Sequence, residues 1–175
     1  MRPLTALLLI ALSPTPGQGQ SAVPKDLLDD WQRNRTAVLA YIAAMPDSAT
    51  SYRPTPGVRT FAEQFDHIVS TNLDVAAIAL KGLKSAPALG DTTVYLHDKA
   101  ALMRYATATY DYFLEALRGA TAAQLAKPVA IYGQPPQPAV RVVTLSLEHS
   151  VWTLGQVVPY LRLNGVKPPA YQMPF

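Results

Sequence analysis

The sequence contains no cysteine. No disulfide can staple it, no thiolate can serve as nucleophile or metal ligand, and no lipoprotein-type anchor can be attached, so stability must come from a packed core. Charge is also scarce. Charged residues make up 15% of the 175 and hydrophobic residues 49%, a balance outside the disordered regime and suited to one packed domain. The formal net charge is only +3, and lysines and arginines are scattered singly, without the run or one-sided stripe that meets a phosphate backbone. No nucleic-acid partner is expected. Internal repeats and strands of sustained alternation are missing as well. Histidine is rare: His67, His97 and His149 are the whole supply, so any imidazole chemistry is drawn from them.

Long apolar runs are confined to the opening. Arg2, a nine-residue apolar stretch over 4–12 and a small-residue breaker over 13–20 read as a cleavable targeting signal. A hydrocarbon core needs roughly 20 apolar residues to be crossed, so no permanent membrane span is expected. With Gly17 and Gly19 ahead of the cleavage point, the expected organisation is a signal at 1–19 and one domain at 20–175, exported to the periplasm or secreted.

Helical periodicity dominates the rest. Residues 24–45 open on Pro24 and acidic residues, carry Leu27, Trp31, Val38, Ile42 and Met45 on one stripe, and stop at Pro46. A proline-rich loop follows. Thr60 and Glu63 form a capping-box pattern that starts a second helix with Phe61, Phe65, Ile68, Asn72, Val75 and Ala79 on its inner face, fading at Lys81 and Gly82. The third helix spans about 98–118, with Leu102, Tyr105, Thr109, Phe113 or Tyr112, and Leu117 inward, and Gly119 ends it. Residues 120–125 suit a short helical turn. Residues 127–138, with Pro135-Pro136, suit an extended or strand-like crossover. The fourth helix covers 141–164. Its expected inner face is Val142, Leu145, His149, Trp152, Gln156, Tyr160 and Leu163, with Pro159 interrupting one backbone bond and Gly165 as a left-handed cap. Trp31 and Trp152 are read as core residues. Four amphipathic helices imply an all-α four-helix bundle, in which the connections between the first and second and between the third and fourth helices exceed simple hairpins.

His67 and His149 lie on two such helices and could converge in a bundle core, where metal sites are built. A packed, hydrogen-bonded role is the competing reading of each. His97, next to Asp98, reads as exposed or capping. Ser146, Ser150 and Thr153 offer hydroxyls, but no glycine-flanked elbow supports a nucleophile.

Two segments carry a family resemblance. Phe61, Glu63, His67 and Ile68 follow F-x-E-x-x-x-H-I, and the fourth helix adds His149, Gly155-Gln156, Tyr160-Leu161-Arg162, Asn164-Gly165 and Pro168-Pro169. With Phe113, Leu114 and Leu117-Arg118-Gly119, the chain resembles the DinB family over most of the length beyond 1–19. The resemblance implies an antiparallel four-helix bundle with a long crossover (DinB/YfiT-like), often a homodimer, holding a divalent ion such as zinc or nickel on three histidines. His67 and His149 would be two of these ligands, and the third position falls on Thr153. A short neutral alcohol is a far poorer ligand than imidazole, so the site is expected to be weakened. Asp66, Glu63 and Gln64 are the nearby side chains that could complete it. Whether the chain is an enzyme stays open. Some relatives of this bundle are metal-dependent thiol transferases or isomerases, and the low-molecular-weight thiol cosubstrates of the former are cytoplasmic; for this chain a metal-dependent hydrolase or thiol transferase, a metal-free bundle that binds a small molecule or partner, and a purely structural role are the alternatives.

Overall fold

The computed structural model describes residues 22–172. The expected signal at 1–19 and its cleavage point lie outside them. Four long helices form the body: α1 (Lys25–Ala44), α2 (Phe61–Val75), α4 (Lys99–Arg118) and α6 (Ala139–Leu163), with short helices α3 (Thr92–Tyr95) and α5 (Ala122–Ala126) in the connections.

Local chemistry sets the boundaries. Pro24 precedes α1, and extended Met45 followed by Pro46 ends it. At α2, Glu63 N donates to Thr60 Oγ1 at 3.2 Å while Thr60 N donates to Glu63 Oε2 at 2.6 Å, the reciprocal cap expected from the sequence. The last turn of this helix loosens into a π-helical turn over Ala76–Leu80, and Gly82 at φ +67° closes it. Asp98 caps α4 by accepting from Ala101 N at 2.5 Å. Gly165 at φ +72° follows α6 in the left-handed conformation expected of it.

The long helices pack as a ring in which α4 and α6 each touch both α1 and α2. Their directions follow from paired residues. Trp31 meets Phe113 while Lys99 reaches the carbonyl of Met45, so α1 and α4 run antiparallel. Gln64 bonds Tyr160 and Asn72 bonds Ser146, so α2 and α6 are antiparallel too. Asn72 with Tyr110 and Lys81 with Glu115 show α2 and α4 running the same way. The segment 81–98 is therefore the long crossover, returning along the bundle. It docks through Tyr95, whose ring stacks on Tyr105 at 4.4 Å, and through Gly90, where a Cβ would fall 2.8 Å from Tyr105 Cδ2.

Fully buried Trp31, Tyr110, Phe61, Phe65, Phe113, Ile42 and Met45 dominate the core. Burying each large apolar side chain contributes about 1.5–3 kcal/mol, enough to replace the missing disulfides. Across it runs a polar chain: Ser146 donates to Asn72 Oδ1 at 2.8 Å, Asn72 Nδ2 to the Tyr110 hydroxyl at 3.2 Å, and both Tyr110 (2.5 Å) and Ser150 (2.9 Å) to Asn34 Oδ1.

One face differs from the sequence reading. The buried side of α6 comprises Ala139, Val142, Val143, Ser146, Ser150, Thr153, Leu154, Val157, Tyr160 and Leu161. Trp152 is 70% exposed, so it is no core residue, and Leu145, Gln156 and Leu163 are exposed with it. α6 is apolar on most of its circumference, so its periodicity does not select one side; contact with both α1 and α2 does.

Candidate functional site

The antiparallel α2 and α6 bring His67 and His149 to the same level. Their Nε2 atoms lie 3.0 Å apart, with the rings edge to face at 87°. Thr153, one turn beyond His149, places its Oγ1 3.4 Å from His149 Nε2 and is 3% exposed. The three positions singled out by the sequence therefore do converge. His97 does not join them: it is exposed, with Nδ1 3.4 Å from Ser51 Oγ.

The pair shares one proton. One Nε2 must donate and the other accept, and His149 Nδ1 is buried with no hydrogen-bond partner among the described residues. An unpaired buried N–H costs more than an unpaired lone pair, so the consistent assignment gives His149 the Nε2–H tautomer and His67 an accepting Nε2. Burial lowers the pKa of both imidazoles, and the positive charge of Arg59 lowers both further; His149 lowers that of His67 as well, while Asp66 partly offsets this. The pair is neutral at pH 7.

The side chains that could have completed a ligand set are engaged elsewhere. Glu63 closes the α2 cap and lies 3.4 Å from Arg53, Asp66 accepts from the Tyr95 hydroxyl at 2.7 Å, and Gln64 donates to Tyr160 at 3.2 Å. Among the described residues no cluster of three or more His, Asp or Glu side chains is placed to hold a metal ion. Ser146 and Ser150 are buried and donate to Asn72 Oδ1 and Asn34 Oδ1.

Beside the pair lies a cavity of about 470 Å³, reached by Ser70, Thr71 and Asp74 from α2 and by Val142, Leu145 and Ser146 from α6. Its outer wall is the segment 127–138, where strands β1 (Pro128–Val129) and β2 (Gln137–Pro138) pair antiparallel and present Val129 and Ile131 inward. Tyr132 at the tip adopts φ +54°, followed by Gly133 at φ +70°, and its hydroxyl donates to Asp74 Oδ2 at 2.7 Å. A non-glycine residue in the left-handed region is uncommon, and the latch to α2 holds it there. Sequence reading missed this wall. The available signal was Asp74, seven residues after His67 and so on the same helical face, with Tyr132-Gly133 in a proline-bounded loop.

A sequence profile of the DinB superfamily matches residues 30–157. The chain belongs to the DinB superfamily. Two solved structures share its fold: a DinB-like protein from Bacillus cereus ATCC 10987, at 21% identity and TM-score 0.71, covering 87% of this chain and all of that one, and a DinB-like protein from Bacillus subtilis, at 17% identity and TM-score 0.69, covering 85% and 99%. No functionally curated protein matches the chain. Within this DinB-superfamily bundle, the imidazole pair forms the floor of the cavity and the hairpin forms its roof.

Proposed function

We propose that this DinB-superfamily chain is a binding bundle for a small, largely apolar molecule, anchored at the His67–His149 pair, and that zinc or nickel binds there only weakly. The observation that carries the reading is the pair itself: two Nε2 atoms bonded to each other at 3.0 Å, an alcohol in third place, and an orphaned His149 Nδ1, with both histidines bordering a mostly apolar cavity. An imidazole that ligates through Nε2 carries its proton on Nδ1 and normally donates it to an acceptor. His149 has none, and two nitrogen donors fall short of the three protein ligands that an open zinc site uses. The residues do not fit a tight divalent centre.

The second reading, a metal-dependent hydrolase or thiol transferase, is favoured by the convergence of two Nε2 atoms on one point, which a single ion could bridge. Zinc titration followed by elemental analysis of untagged protein separates the two. Wild type is expected to lose its zinc on dialysis, whereas Thr153→His retains about one ion per chain, with affinity raised at least about tenfold. Tight stoichiometric zinc in wild type, unimproved by the variant, refutes the binding-bundle reading. Export and homodimer formation complete the proposal; they rest on the leader-like opening and on the resemblance.

A further inference from the structure

The imidazole pair sits at a seam. His67 and Ser70 line both the apolar cavity and a second, polar depression of about 560 Å³ bounded by Arg53, Arg59, Glu63 and Asp66. Most of the charge in that depression is committed. Glu63 is held by the α2 cap and Arg53, and Asp66 by Tyr95; on the far side of the cavity Asp74 is held by Tyr132. Arg59 differs from them. Its guanidinium has no hydrogen bond or ion pair among the described residues, while its carbonyl accepts from the Tyr160 hydroxyl at 2.7 Å, which ties its backbone to α6. The one uncommitted charge beside the pair is therefore positive and is fixed at its base.

We infer that the ligand is a small amphipathic carboxylic acid, its apolar body in the cavity under the 127–138 hairpin and its carboxylate between Arg59 and the His67–His149 pair. This rests on the binding-bundle reading and adds the head group to it. A guanidinium offers a fork of N–H donors that matches a carboxylate, and a neutral imidazole pair contributes a further donor once its internal bond opens. The positive field of Arg59 at both rings, which helps keep them unprotonated in the free protein, is the field a carboxylate would neutralise. A cavity of about 470 Å³ lies within the range of small-molecule sites and admits a chain of about eight carbons.

The test is calorimetric titration at pH 7.5 and low salt with octanoate, octanol and octylamine, on wild type and Arg59→Gln. Octanoate is expected to bind at least about tenfold tighter than octanol, and Arg59→Gln to erase that preference. Arg59 is exposed and its bond to Tyr160 is made by the backbone, so the variant should melt with the wild type; a melting curve checks this. Octylamine binding tightest, or an octanoate preference that survives in Arg59→Gln, overturns the acid. Octanol binding as tightly as octanoate overturns the acid but leaves the apolar cavity standing. Failure of all three probes to bind removes the binding-bundle reading along with it.

Discussion

α2 and α6 face each other through two polar clusters that are built differently. At mid-core, Asn72 and Ser146 join Tyr110, Asn34 and Ser150 in a chain that links all four long helices, with the tyrosine wholly enclosed. A turn or so away, at the edge of the same interface, the half-buried His67 and His149 hold each other, with Thr153 Oγ1 3.4 Å from His149 Nε2, one ring nitrogen orphaned and a cavity alongside. The first cluster, apart from an Asn34 Nδ2 that is buried without a partner among the described residues, uses its hydrogen bonds to fix which helices meet and in what register. The second leaves capacity open. The surroundings separate them, an enclosed core for one and a cavity wall for the other, and it is the second to which the proposed ligand contact belongs, although both are polar pairs on the same two helices.

Asn72 sits at the centre of the mid-core chain. Asn72→Leu strips partners from Ser146 and Tyr110 inside the core and is expected to cost about 2–4 kcal/mol of unfolding free energy by urea denaturation. A loss below about 1 kcal/mol would mean the mid-core chain does no structural work.

The imidazole pair should matter less to stability and reveal itself through pH. Both rings have lowered pKa values in the fold, so the unfolded chain takes up their protons first as acid is added. Their contribution is whole above about pH 6.5 and is lost as pH falls through the lowered values. Melting temperature should therefore fall more steeply between pH 7 and pH 5 in wild type than in the His67→Gln, His149→Gln double variant. Parallel curves would show that the rings are not desolvated.

The smallest effect is expected at the roof. Tyr132→Phe removes one partly exposed hydrogen bond to Asp74 and should cost at most about 1 kcal/mol. Amide exchange over 128–138 should nevertheless quicken, while the mid-core amides of α2 stay protected. Unchanged exchange in the hairpin would show that the latch does not hold it.

Much of this was legible in the chain. Thr60 and Glu63 announced the start of α2, Asp98 and Gly119 bracketed α4, Gly165 marked the end of α6, and the inward residues of α2 and α4 followed from spacing, because each of those helices is apolar on one side only. Of the site, His67, His149 and Thr153 were found as positions, and the structure shows them meeting. What spacing could not supply was the hairpin latch, the uncommitted Arg59, and the tyrosine–asparagine chain. Each depends on residues far apart in sequence that only packing brings together.

Local chemistry thus determined the helices, their caps and the two histidines, since each signal lies within one or two turns of chain. Tertiary structure alone decided which side of α6 turns inward, leaving Trp152 in solvent and Thr153 buried beside the pair. An apolar helix can bury several faces; the one it buries is set by the two helices it must fit between.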